Sequence, residues 1–164
     1  MIVVAIDIGL TGALAAVDGR GSAQVRDLPT TADGERRRLC GRGLLQLVRE
    51  FIPAGQAGMI VIEDVRPRPM GNSGRHGNTM HSQGSLMRSR GIVEAVVDVS
   101  RLELRAVQPA TWKRHFGLIG KEKGASQDVA RSLFPGLASQ LKLVKHHNRA
   151  EALLIAHYGR GQFA

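Results

Sequence analysis

The 164-residue sequence predicts an α/β fold: a mixed five-stranded sheet, made of a three-strand meander plus two further strands, with helices on both faces. Three observations lead there. Residues 2–6 and 58–62 are short, almost unbroken apolar runs, as expected of strands buried on both faces. Turn-forming residues split the first 28 positions into three such short segments, in the manner of an antiparallel meander. Farther along, segments with helical periodicity alternate with the remaining strands.

In order, the first strand, 2–6, ends on the carboxylate of Asp7, and Gly9 and Gly12 mark the turn into a second strand, 13–17. Residues 18–22 (DGRGS) turn the chain into a third strand, 23–28. After a loop over 29–34, the spacing of Leu44, Leu45, Val48 and Phe51 predicts a helix over 35–52, weakened early by Gly41 and Gly43. The fourth strand, 58–62, runs into Glu63 and Asp64. Residues 65–77 (VRPRPMGNSGRHG) hold two prolines, three glycines and four basic or imidazole side chains, so they read as a substrate-facing loop. A helix over 82–99, a strand over 102–107, a short helical turn over 111–116 and a helix over 125–134 follow, with a last helix over 148–158. Between them, 117–124 is a glycine-bounded loop carrying Lys121 and Lys123.

Composition narrows the function. A length of 164 residues suits one domain spanning 1–164 with a single good core. A net charge of +9 and a pI of 11.0 point to a polyanionic partner, and nucleic acid is the commonest. A membrane partner is not expected, because no basic amphipathic helix with bulky apolar anchors is present. The single cysteine, Cys40, excludes an internal disulfide. With no secretion signal in view, a cytoplasmic setting, bacterial or in a phage-infected host, is the expectation.

The candidate chemistry lies in the acids. Asp7 and Glu63 each close a buried strand, where a carboxylate needs a cation or hydrogen-bond donors. Alone, Asp7 reads equally well as a turn cap. The last helix adds Glu151, and on an ideal helix His147 lies about 40° from it, Asn148 about 60° and His146 about 140°. Two strand-end acids and a helix pair form an oxygen-rich set suited to divalent cations and phosphodiester hydrolysis. Trp112 reads as core, and Arg149 as lying on another helix face from Glu151.

Four segments, AIDIGLTGALAAVD, VIEDV, QPATWKRHFGL and HHNRAEALLIAHYG, in this order over nearly the whole chain, resemble the RuvC-like Holliday-junction resolvases, and more closely their phage and prophage branch. The resemblance implies a ribonuclease-H-like fold, a homodimer, and Mg²⁺- or Mn²⁺-dependent cleavage of four-way, branched double-stranded DNA with a two-metal site. It places Asp7, Glu63 and Glu151 among the metal-binding acids and Lys113 in TWKRHF near the scissile phosphate; of His146, His147 and Asn148, any of which could complete the site, His147 is chosen as fourth metal ligand for its helical phase with Glu151. The basic loop with Arg66, Arg68 and Arg75, together with Arg88, Arg90, Lys121 and Lys123, is then read as contacting the DNA backbone.

Two departures from the family stand out. Ile8 replaces a common Pro, and Asn148 occupies a place where bacterial relatives often carry an acid. A three-acid site and a catalytically weakened junction-binding protein are the alternatives this leaves. The motif IDIGLTG also resembles the phosphate-binding hairpin of actin-like and sugar-kinase ATPases, but 164 residues leave no room for the second lobe those proteins need.

Overall fold

The computed structural model describes residues 1–67 and 79–164. Its main sheet has five strands: β1 (Ile2–Asp7), β2 (Ala13–Val17), β3 (Ala23–Asp27), β6 (Gly58–Glu63) and β7 (Glu103–Val107). Their order is β3-β2-β1-β6-β7. The meander β1-β2-β3 is antiparallel, whereas β6 and β7 run parallel to β1. The mixed sheet with its meander thus forms as the sequence predicts. Gly12 is required at the first turn, because a Cβ there would lie 2.0 Å from the Asp7 carbonyl oxygen.

Strand periodicity divides the core in two. Val3, Ala5, Ala15, Met59 and Val61 face one side, packed under α5 (His147–Phe163), with α3 (Pro109–His115) and α4 (Gly124–Leu133) completing that layer. Val4, Ile6, Leu14, Ile60 and Ile62 face the other side, under α1 (Gly41–Phe51) and α2 (Met80–Ser100). Each fully buried Ile or Leu contributes about 1.5–3 kcal/mol. The α5 layer sits tight on the sheet: a Cβ on Gly159 would meet Val61 Cγ2 at 2.8 Å and Val3 Cγ1 at 3.2 Å.

Two predicted elements are corrected, the loop over 29–34 and the helix over 35–52. The helix expected over 35–52 begins only at Gly41, where the Cys40 thiol caps it by accepting the Gly43 N–H at 3.4 Å. The preceding residues form an antiparallel hairpin, β4 (Thr30–Asp33) and β5 (Arg36–Leu39), turning at Gly34 with φ +63°. The reason is local: the apolar stripe of the helix lies wholly within 44–51, while Asp33-Gly34 is a hairpin-turn pair. Leu39 is fully buried against the α1/α2 side, and the Cys40 N–H closes the hairpin base on the Pro29 carbonyl at 2.8 Å. The last helix starts at His147 rather than 148 and runs on to Phe163. No helix among the described residues is long and apolar enough to cross a membrane.

Candidate metal and nucleic-acid site

Asp7 and Glu63 end neighbouring parallel strands whose register pairs Ile6 with Ile62. Both occupy odd positions, in phase with Val3, Ala5, Met59 and Val61, which places them on the α5 side of the sheet. Glu151 lies in the first turns of α5, so the three acids converge at the C-terminal ends of β1 and β6. The convergence has an electrostatic signature. Burial, then the charge of Glu151, then that of Glu63, push the Asp7 carboxyl up to about 8, against a smaller opposing pull from Lys113. Three acids face one ammonium here, so a bound cation would favour the ionised form of Asp7.

Helix α3 reaches two of these acids with consecutive residues. The Trp112 indole N–H donates to Glu63 Oε1 at 2.9 Å. Lys113 Nζ lies 3.8 Å from Glu151 Oε1 and 5.1 Å from the Trp112 ring centroid. Trp112 is fully buried, as a core residue should be, and its hydrogen bond to Glu63 is a connection the sequence pattern did not reveal.

The segment before Glu151 separates its residues by role. His146 is buried in a single 3₁₀ turn, where its Nδ1 accepts the Leu143 N–H at 3.3 Å. Burial, with Arg149 and Lys145 nearby, holds its imidazole below the ordinary histidine range. His147 opens α5, half-buried, with Nδ1 3.2 Å from the Val144 carbonyl oxygen. Because a carbonyl only accepts, that contact makes Nδ1 the protonated nitrogen and leaves Nε2 with the lone pair a metal ligand needs. Asn148 donates to the Thr11 carbonyl at 2.6 Å and to its hydroxyl at 3.2 Å, tying α5 to the β1–β2 turn. A carboxylate at 148 could not make that bond to a carbonyl. Arg149 points elsewhere: it forks onto Asp27 at 2.5 and 2.6 Å, and that bond holds the Asp27 carboxyl below its ordinary range.

The second acid of the β6 end is engaged differently. Asp64, one residue out of phase with Glu63, receives Arg66, Arg90 and Gln108. The Arg66 and Arg90 hydrogen bonds outweigh burial and hold its carboxyl below the ordinary range. Arg90 also bonds the Val65 carbonyl at 2.6 Å and Glu94 at 2.8 Å, and Arg88 pairs with Asp33 of the hairpin at 2.6 Å. Lys121 and Lys123 are exposed between α3 and α4. Arg68 and Arg75 lie outside the described residues. Arg36 and Arg37 project from the exposed hairpin, with Arg38 half-buried beside them.

The donor set of Asp7, Glu63, Glu151 and His147, oxygens plus a neutral imidazole, matches what divalent ions accept. Among the described residues, no three His, Cys, Asp or Glu side chains stand close enough together to hold one ion. The three acids, which the electrostatics of Asp7 bring together, fit a divalent ion by chemistry and charge.

The sheet order and the flanking helices match a ribonuclease-H-like fold. No protein-family model matches the chain. Over 95% of its length it is similar to the Thermus thermophilus RuvC structure, covering 91% of that chain, with a TM-score of 0.53 and 19% identity. With T. thermophilus RuvC in complex with Holliday junction substrate, the TM-score is 0.57 at 17% identity, over 99% of this chain and 97% of that one. In sequence, 51 residues are 51% identical to the chloroplastic Holliday junction resolvase MOC1 of Chlamydomonas reinhardtii, a stretch that is 30% of this chain and 6% of that protein. The chain is therefore similar in sequence to that chloroplastic resolvase over 51 residues, and it shares the fold of T. thermophilus RuvC over nearly its whole length.

Proposed function

We propose that residues 1–164 form one nuclease domain that resolves four-way DNA junctions by divalent-metal-dependent phosphodiester hydrolysis. The observation that carries this reading is the convergence of Asp7, Glu63 and Glu151 at the C-terminal ends of the neighbouring strands β1 and β6, where burial and then the charges of Glu151 and Glu63 push the Asp7 carboxyl up to about 8. The Holliday junction substrate of the T. thermophilus RuvC complex, and the resolvase activity for which the algal relative is named, support the choice of substrate. Asp7, Glu63, Glu151 and His147 would hold Mg²⁺ or Mn²⁺, as a two-metal site. Bound there, the metal would supply an activated water and charge neutralisation at the leaving oxygen.

The chain's own residues do the rest. The Val144 carbonyl keeps His147 in the ligating tautomer. Lys113, beside Glu151, brings a positive charge to where the scissile phosphate would lie. Lys121, Lys123, Arg66 and the hairpin arginines offer phosphate contacts, which position DNA without reading its sequence. Arg68, Arg75, Arg88 and Arg90 join them in this proposal, although Arg66, Arg88 and Arg90 would first have to leave their acidic partners. Paired nicks on opposite strands call for two sites related by a two-fold axis, hence a homodimer. The resemblance of HHNRAEALLIAHYG favours the phage and prophage branch.

The test is cleavage of a synthetic four-way junction in Mg²⁺ or Mn²⁺, with Asp7→Asn and Glu63→Gln as controls. Cleavage by the wild type and loss in both variants, with junction binding retained, is the expected result. Near-wild-type cutting by either variant would remove that residue from the metal site. Asn148, which clamps Thr11 where relatives often carry an acid, favours a second reading: junction binding with weak or no cleavage. Tight junction binding without nicks in either metal would establish it.

A further inference from the structure

The proposed metal site leaves one close contact without a role, the indole of Trp112 on Glu63. We infer that Trp112 is a positioning residue whose N–H fixes the Glu63 carboxylate for metal binding; this deepens the metal-site reading and rests on it. Three features of the contact support the assignment. The bond has good geometry at 2.9 Å, and its donor side chain is fully buried in the core under α5, so the ring cannot turn away without disturbing packing. The indole N–H is a donor alone and uncharged, so it orients the carboxylate without neutralising it, as Lys or Arg would. The next residue, Lys113, lies 3.8 Å from Glu151, so a single helix contacts acids of both β6 and α5. A buried Trp commonly finds some acceptor. Here the acceptor is one of the three acids that meet at Asp7. Partners that orient metal ligands typically change metal affinity 10- to 100-fold when removed.

Trp112 is the sole tryptophan, so its indole N–H gives one assignable NMR resonance in ¹⁵N-labelled protein. Titration of the intact protein with Mg²⁺ should shift that resonance, and Glu63→Ala should abolish the shift. Replacing Trp112 by benzothienylalanine, which keeps the bicyclic shape and substitutes sulfur for N–H, should raise the Mg²⁺ concentration for half-maximal thermal stabilisation about 10-fold or more. Trp112→Phe should do the same if it folds; the isosteric variant decides the matter if it does not. An unchanged Mg²⁺ response in the benzothienylalanine variant, or an indole resonance indifferent to Mg²⁺ while the protein still binds it, would overturn the positioning role and leave the metal site intact. A wild type that neither binds Mg²⁺ nor cuts junctions would overturn the metal site, and the role of Trp112 with it.

Discussion

Asp7→Asn should stabilise this protein in metal-free buffer, although it removes a residue at the heart of the proposed site. The Asp7 carboxyl stands at about 8 in the folded chain against 3.8 for the free side chain. Below pH 3.8 both folded and unfolded chains hold the proton, so no penalty arises. As pH rises from there to about 8, the unfolded chain releases its proton and the folded chain keeps it, so stability falls; above about 8 the loss is complete. At about 1.4 kcal/mol per unit, the ceiling is roughly 6 kcal/mol. Asp7 retains some solvent access and its neighbours can relax, so about 2–3 kcal/mol is the working expectation. For a domain of this size that is a Tm difference of about 5–10 °C.

The assay is thermal unfolding of wild type and Asp7→Asn in EDTA from pH 4 to 9. The variant should melt higher at pH 8, and the gap should close toward pH 4. Mg²⁺ or Mn²⁺ should then raise the wild-type Tm by linkage, and the variant's much less. A variant no more stable than wild type at pH 8, or one with the same pH slope, would refute both the charge crowding at Asp7 and the cation argument built on it.

Other expectations follow from particular contacts. If His147 ligates through Nε2, Mn²⁺ should support cleavage at lower concentration than Mg²⁺, and His147→Asp should shift the preference toward Mg²⁺. His146→Ala should leave that preference unmoved, because its ring closes the Leu143 turn; metal-dependent cleavage profiles of both variants check the assignment. Replacing Arg36, Arg37 and Arg38 by Ala should weaken junction binding and flatten its dependence on salt by about one unit of log–log slope for each phosphate no longer neutralised, measured by anisotropy at several salt concentrations. Gly159→Ala should cost about 1–3 kcal/mol in urea unfolding, since its methyl group would press on Val61 and Val3.

Much of the fold, and the position of Asp7 and Glu63 at strand ends, was legible without coordinates, for physical reasons that are local. Burial on both faces forces strands such as 2–6 and 58–62 to be continuously apolar, so their ends, and the carboxylates there, stand out. The two-residue period of a strand also separates Glu63, on the α5 side, from Asp64, bonded to Arg90 of α2. The β4–β5 hairpin had a local signal in Asp33-Gly34, but three consecutive arginines satisfy a solvated helix and an exposed ribbon equally well; burial of Leu39 and pairing of Arg88 with Asp33 accompany the ribbon. Side-chain partners were beyond local pattern altogether. Nothing near Trp112 in the chain says that its N–H meets a residue 49 positions earlier, or that Asn148 bonds the Thr11 turn 137 positions away. Sequence alone determines which segments must be buried and which residues carry charge at their ends. The tertiary structure decides which of those charges meet, because hydrogen bonds and ion pairs are made between elements that only the packed sheet brings together.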